Sequence, residues 1–483
     1  MKKKLNTRRI VSSPPSKKLN MKKKVFNYTW EELTIKAVNK LLDIGNIINI
    51  TNGIYNDRNP IQIKIVDVND DNVWYTNIDD VGEVSPGKIL EDFVVEITTT
   101  EIAEEVTLPL SNGYTAEFTI NWGDGSNIQI VESFDDVNAT HVYSDIGIYD
   151  ITISGILESW ETNYEAIGDK ITKIKSWGNT NLKRVNFNSC DNLTTMPLDA
   201  SGRLYKVEDF TSTFYHCHSL QNISNGLLDN NIIATDFVRT FAACSVLTTI
   251  PNNLFKDNIS AETITHTFSG CTSLTNIPSG LFDTMILADT MYGIFYNCLS
   301  LIEIPSGLFD NNTEVVTFGH DNSAGLFQNC ETLTSIPSGL FDNNLKVTSF
   351  ISIFQGCDNL ITIPDGLFDN NLLVTHFGQS ETGAFNGCYS LTAIPDGLFD
   401  NNTAITTIDA TFSGCITLTA IPAGLFDNLV PTVSFGFTFN GCSGITSAVP
   451  ELWNIHTGQW TGYECYNNCI NASNYASIPA GWK

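Results

Sequence analysis

The sequence predicts a mainly β chain whose larger part is a solenoid of about eleven 27-residue coils, preceded by a β-sandwich and a small α+β N-terminal unit. The first observation behind this reading is a cysteine ladder. Cysteines fall at 190, 217, 244, 271, 298, 330, 357, 388, 415, 442 and 469, and eight of the ten intervals are 27 residues, the others being 32 and 31. A fixed period of that length marks stacked repeats. The second observation is the phase of the neighbours. An aromatic stands three residues before each of these cysteines, from Phe187 and Phe214 to Phe439 and Tyr466, and most coils continue into Leu-x-x-Ile-Pro, as at Leu274 and Ile277 or Leu391 and Ile394. The third lies upstream, where "HVYSDIGIYDITI" alternates polar and apolar residues like strands with one buried face.

Taken in order, residues 1–24 hold eight Lys, two Arg and no acid, a charge of +10, while residues 25–483 carry 16 − 53 = −37. This basic arm stays extended when free and suits an acidic partner or nucleic acid; the acidic body suits neither nucleic acid nor an anionic surface. No apolar segment follows the basic start before Lys22, so a cleaved secretory signal is not expected and synthesis in a reducing cytoplasm is. No window approaches the roughly 18 apolar residues that cross a bilayer, so membrane insertion is not expected either.

Residues 25–92 form a separate α+β unit. In "YTWEELTIKAVNKLLDIG" Thr29 and Glu32 are spaced as a capping box and Gly45 ends the helical pattern, and "PIQIKIVDVNDDNVWYTNI" then reads as a hairpin. Residues 93–160 are the sandwich, 161–450 the solenoid and 451–483 a C-terminal cap ending in "SIPAGWK". Within a coil the apolar residues at fixed phase must point inward and stack on the next coil, because 27 residues cannot bury their own face. Segments such as "LTSI" and "VTSF" read as strands pairing in parallel from coil to coil, and Pro with Gly-Leu-Phe-Asp-Asn-Asn turns the corner.

The aromatic-x-x-Cys-x-x-Leu-x-x-Ile phrase resembles the BspA-like leucine-rich-repeat surface proteins, over about residues 170–483. Ser224 and Ser-Ala-Val-Pro at 447–450 depart from it as worn coils would. "NWGDGS", with Trp122, Gly123, Asp124 and Gly125, followed by His141, Tyr143, Gly147 and Tyr149, resembles the polycystic-kidney-disease (PKD) type β-sandwich, a spacer or adhesive arm in that family. The resemblances imply a leucine-rich-repeat-type solenoid behind a PKD-like domain.

Several candidate sites follow. The ladder of Cys217, Cys244, Cys271, Cys298, Cys330, Cys357, Cys388, Cys415 and Cys442 reads as a buried column of small apolar side chains; Cys465, four residues before Cys469, is the one suited to a bridge. His216-Cys217-His218 lacks the further ligands that zinc needs. Asp310, Asp342, Asp369 and Asp400 belong to an acidic row at one phase, where the carboxylates either bond their own turns or line up for calcium, the one cofactor the sequence raises. The two long intervals insert "GHDNSAGL" and "GQSETGA" at a single phase, so His320, Asp321 and Asn322 on one loop and Gln379, Ser380 and Glu381 on the other could form a two-pronged contact for a polar or sugar ligand. No nucleophile elbow, His-Glu-x-x-His or isolated acid pair points to catalysis, so an enzyme is not expected.

These features together fit a virion protein resembling tailed-phage fibres. Its N-terminal region would meet other virion proteins, its solenoid would meet a host surface protein or glycan, and self-association into a homo-oligomer stays open. A bacterial cell-surface adhesin of the BspA-like kind is the alternative, and a polysaccharide-active enzyme a third.

Overall fold

Alternating apolar residues produce strands in both parts of the chain. The computed structural model describes residues 61–66, 73–78, 92–162, 167–198, 200, 202–319, 324–455 and 461–483, and the chain divides into two units, Met1–Asp92 and Phe93–Lys483. Among the described residues there is no α-helix: regular structure is β-strand with a few 3-10 turns, so the chain is mainly β. The basic arm and the helix expected before Gly45 lie outside the described residues. In the first unit β1 (Ile61–Val66) and β2 (Val73–Ile78) form the antiparallel hairpin read from the sequence.

The second unit opens with β3 (Phe93–Thr98), β4 (Glu104–Thr107), β5 (Ala116–Asn121), β6 (Gln129–Val131), β7 (Thr140–Tyr143), β8 (Ile148–Leu157), β9 (Ser159–Glu161), β10 (Ile171–Trp177) and β11 (Arg184–Asn186). An antiparallel sheet runs in the order β10-β3-β8-β5-β6, and β4 pairs with β7 in a second, two-stranded sheet. On β5 the residues alternate: Ala116, Phe118 and Ile120 are buried and Glu117, Thr119 and Asn121 exposed. Strand β10 falls within the span read as repeats. It edges this sheet against β3 and also carries the first rung of the repeat stack, where Lys173 bridges Thr195 in parallel.

From there the repeats stack in parallel register. Equivalent residues bridge from coil to coil: Asp236 to Thr263, Thr263 to Thr290, Thr290 to Thr317, and Ser335 of "LTSI" to Thr362. The segments expected to be strands are single-residue bridges for most of the array. Pro337 follows Ile336 and has no N–H to extend one ladder, and Ser352, two residues after Phe350, turns left-handed at φ 57° and ends the other. The residue before each ladder cysteine is left-handed as well, which is why Asn329 (φ 59°), Gly356 (φ 71°) and Gly387 (φ 75°) stand there.

Inside, each phase forms a column. Phe295, Phe327, Phe354 and Phe385 stack with centroids 5.6, 5.7 and 5.7 Å apart and planes within 12° of parallel. A second column runs through the Phe of Gly-Leu-Phe, with Phe309, Phe341 and Phe368 separated by 6.2 and 6.3 Å. Full burial of each ring contributes on the order of 2–3 kcal/mol, so the apolar columns dominate the stability of the array.

Polar groups in this interior also repeat. All twelve cysteines are buried and unbridged, and the ladder thiols donate to the carbonyl of the preceding coil's aromatic: Cys330 to Phe295 O at 3.3 Å, Cys357 to Phe327 O at 3.2 Å, Cys388 to Phe354 O at 3.2 Å. Cys217, Cys244, Cys271, Cys298, Cys415 and Cys442 do the same one coil apart. The bridge considered for Cys465 does not form. That residue sits four before Cys469, the phase that buried Thr411 and Thr438 occupy before Cys415 and Cys442, so it is a core side chain. The second Asn of Asp-Asn-Asn is buried too: Asn344 Nδ2 donates to Phe309 O and Asn312 O, and Asn371 Nδ2 to Phe341 O and Asn344 O.

Candidate functional site

Both insertions leave the stack through glycine necks. A Cβ on Gly319 or Gly325 would stand 1.9 Å from the backbone oxygen of Ile351 or Ser352, and one on Gly378 would stand 1.7 Å from Asp409 O. At Gly383 it would meet Ala410 backbone atoms at 2.4 Å. No side chain fits where the loop grazes the next coil, so each insertion has to start and finish on glycine. His320, Asp321 and Asn322 lie beyond the first neck, outside the described residues.

The second insertion is a hairpin. β12 (His376–Gln379) pairs antiparallel with β13 (Thr382–Gly383) and in parallel with β14 (Thr407–Ile408) of the next coil. Gln379, Ser380 and Glu381 form its exposed tip, with Ser380 left-handed at φ 56°. The hairpin is pinned from below by Asp409, which sequence reasoning missed. Its carboxylate accepts from Ser434 Oγ at 2.6 Å, from Gly436 N at 2.7 Å and from the Ser380 backbone N–H. Burial pushes the Asp409 carboxyl above the usual range, against the lowering by those donors. The signal for it in the sequence was a lone Asp, at the phase of Ile351, following a coil that carries an insertion.

The acidic row has a different geometry. Asp310 Oδ2 lies 2.8 Å from where a Cβ of Gly307 would be, and Asp342, Asp369 and Asp400 repeat this over Gly339, Gly366 and Gly397 at 2.9, 2.9 and 2.8 Å. Each carboxylate therefore rests on the left-handed glycine three residues before it. Among the described residues no three His, Cys, Asp or Glu side chains converge on a common point. His216 Nδ1 and His218 Nε2 are 3.1 Å apart on the surface, with Asp191 Oδ1 4.0 Å from His218 Nε2.

In the sheet-bearing part the signature residues do come together. Trp122 stacks on His141 with centroids 5.0 Å apart, His141 Nε2 is 2.7 Å from Asp124 Oδ2, and Tyr143 OH donates to Trp122 O at 2.8 Å. Burial raises the Asp124 carboxyl, but the hydrogen bonds from Ser126 and His141 outweigh it and hold the group at about 2. This is a cross-strand lock rather than a reactive centre, because the carboxylate's partners are already engaged with it.

Among the described residues no helix is long and apolar enough to cross a membrane. No protein-family model, no curated protein and no solved structure matches the chain, so the functional reading rests on its own residues and their geometry.

Proposed function

We propose that this chain is a non-enzymatic display and adhesion protein. It is a BspA-like, leucine-rich-repeat-type solenoid behind a PKD-like sandwich, carried on a phage particle by its N-terminal region and touching a host surface protein or glycan through its insertion loops. The observation that carries the reading is the pinned hairpin at 376–383. Elsewhere in the array the inward groups are committed to coil-to-coil bonding, so chemical variety is concentrated where Gln379, Ser380 and Glu381 project from a rigid support. A preorganised tip loses little entropy on binding, which suits recognition of a polar surface.

The test uses the full chain, fluorescently labelled, on a panel of bacterial cells and arrayed glycans. The variant Gln379→Ala/Glu381→Ala keeps both necks and should lose at least tenfold in binding with an unchanged melt. Binding of the variant at wild-type strength, or no binding by the wild type to any cell or glycan, overturns the assignment. Decoration of purified particles by antibodies to the chain tests the virion location separately.

A further inference from the structure

The coil surface carries a feature that the adhesion reading does not use. One residue after each buried Asn phase, Ile232, Ile259, Ile286, Leu345, Leu372 and Val430 point outward, each between 45% and 57% exposed. Thr313 and Thr403 fill the remaining two coils at this phase. Because equivalent residues sit above one another, these side chains form one apolar stripe running along the stack. Three residues earlier runs the acidic row, from Asp229 to Asp427, with Lys256 in its place before Ile259. Across 207–482 there are 24 acids against three cations, and two of those cations, Lys256 and Lys346, are already paired with Asp229 and Glu314.

We propose that this stripe docks a cationic amphipathic helix of a partner protein. Charge selects the occupant. The same coil surface of a second copy would bring the same excess of negative charge, and nucleic acid or an anionic membrane would be repelled, whereas Lys and Arg flanking an apolar helix face complement the row. Pitch selects the conformation. Equivalent ring centroids on successive coils are 5.3 to 6.3 Å apart and parallel-bridged backbones about 4.8 Å, which brackets the coil-to-coil step. A helix rises about 5.4 Å per turn, so one apolar side chain per turn meets one per coil, with its cations keeping the same step along the acids. An extended strand repeats its face about every 6.6–6.8 Å and slips out of register within a few coils.

Synthetic helical peptides of Lys and Leu patterned as one apolar stripe serve as the probe. Control peptides carry Gln for Lys, or Ser for Leu. The full chain should bind the Lys/Leu peptide, more weakly as salt rises, and each control at least tenfold more weakly. The variant Ile259→Ser/Ile286→Ser/Leu345→Ser/Leu372→Ser should weaken the Lys/Leu peptide at least tenfold; should that variant fold poorly, Ile286→Ser and Leu372→Ser singly should each weaken it about threefold. Equal binding of either control, stripe variants that bind like wild type, or sedimentation showing stripe-dependent self-association that strengthens with salt, would overturn the proposal.

Discussion

Replacing Asn344 with Met tests whether the buried Asn column is a hydrogen-bonding device or a passive corner. Asn344 is fully buried; its Nδ2 donates to Phe309 O at 3.1 Å and Asn312 O at 2.9 Å, while its Oδ1 has no partner. Asn344→Met removes both bonds, while each carbonyl keeps one backbone partner, Asn312 N on Phe309 O at 3.1 Å and Val315 N on Asn312 O at 3.3 Å. At roughly 1 kcal/mol net for each bond, set against a gain from deleting the unpaired oxygen, the loss is up to about 2 kcal/mol. The chain contains its own control. In the coil where Met285 holds this phase, Thr284 Oγ1 donates to Phe255 O at 2.6 Å and replaces one of the two bonds. Adding Asn343→Thr to the Met variant should therefore restore about 1 kcal/mol, while Asn343→Thr alone should be near neutral, an interaction energy that a double-mutant cycle isolates. Urea midpoints together with amide exchange at Val347, which donates to Asn344 O at 3.3 Å, read the effect globally and locally. A Met variant as stable as wild type, or one that the added Asn343→Thr fails to rescue, would refute the reasoning.

The thiols set an alkaline limit: burial pushes Cys271 and Cys415 from 9.0 up to about 12, so the stability tied to the protonated thiols is complete below 9 and drains as pH rises toward 12. Each thiol contributes up to about 1.4 kcal/mol per pH unit in that window; native protein should resist thiol labelling at neutral pH, and Cys271→Ser/Cys415→Ser should flatten the alkaline transition, which an unchanged slope would contradict. Glu96 runs the opposite way: burial raises it, yet Lys173, Lys175 and Thr172 hold it at about 2, so its contribution is present above 4.5 and fades as pH falls toward 2. Glu96→Gln should cost about 1–2 kcal/mol at neutral pH, allowing for the exposed lysines, and nothing at pH 2, as read by urea unfolding at the two pH values. Chelator and millimolar calcium should give the same melting temperature, since Asp310, Asp342, Asp369 and Asp400 each rest on their own glycine; a rise of several degrees in calcium would restore the cation reading of the row.

How far the sequence could be read depended on whether a residue's role lies in its own coil or in the next. Phase alone located the inward Phe, Leu and Cys positions, because burial recurs with the period. It also located the insertions, which lengthen one phase and no other. What it missed were donors aimed one coil back. Asn344, read only as part of the corner turn, is buried because its amide meets carbonyls 32 and 35 residues earlier, a distance across which no local pattern speaks. Strand length was overread for a related reason. The β-forming residues of "LTSI" are real, but Pro337 and the left-handed positions limit the pairing to single rungs. Cys465 was misread because its place four residues before Cys469 suggested a bridge, whereas it occupies its own phase, the one that Thr438 fills a coil earlier.

The backward aim of these donors gives the stack a polarity that explains how its ends are finished. Cysteine, asparagine and threonine side chains in the interior offer hydrogens to the preceding coil, so the first coil needs acceptors that no repeat supplies. The sheet-bearing part caps this end: Cys190 Sγ donates to Thr162 Oγ1 at 3.7 Å, and Trp160 covers the first ring, Phe187, at 6.1 Å. At the far end the last ring has no follower to bury it, and the last backbone N–H groups, which elsewhere donate to the following coil as Phe439 N does to Cys465 O, have no repeat to supply an acceptor. There Trp482 stacks on Tyr466 with centroids 6.3 Å apart, and its carbonyl accepts from Tyr466 N at 2.7 Å. Nearest-neighbour stacking makes each coil depend on the one before it, so the strand β10 that serves both sheet and stack is the place where register is first imposed. The phrase Ile-Pro-x-Gly-Leu-Phe-Asp-Asn-Asn is then a docking instruction: Gly seats the Asp, Phe fills the column and the buried Asn fastens the coil to its predecessor.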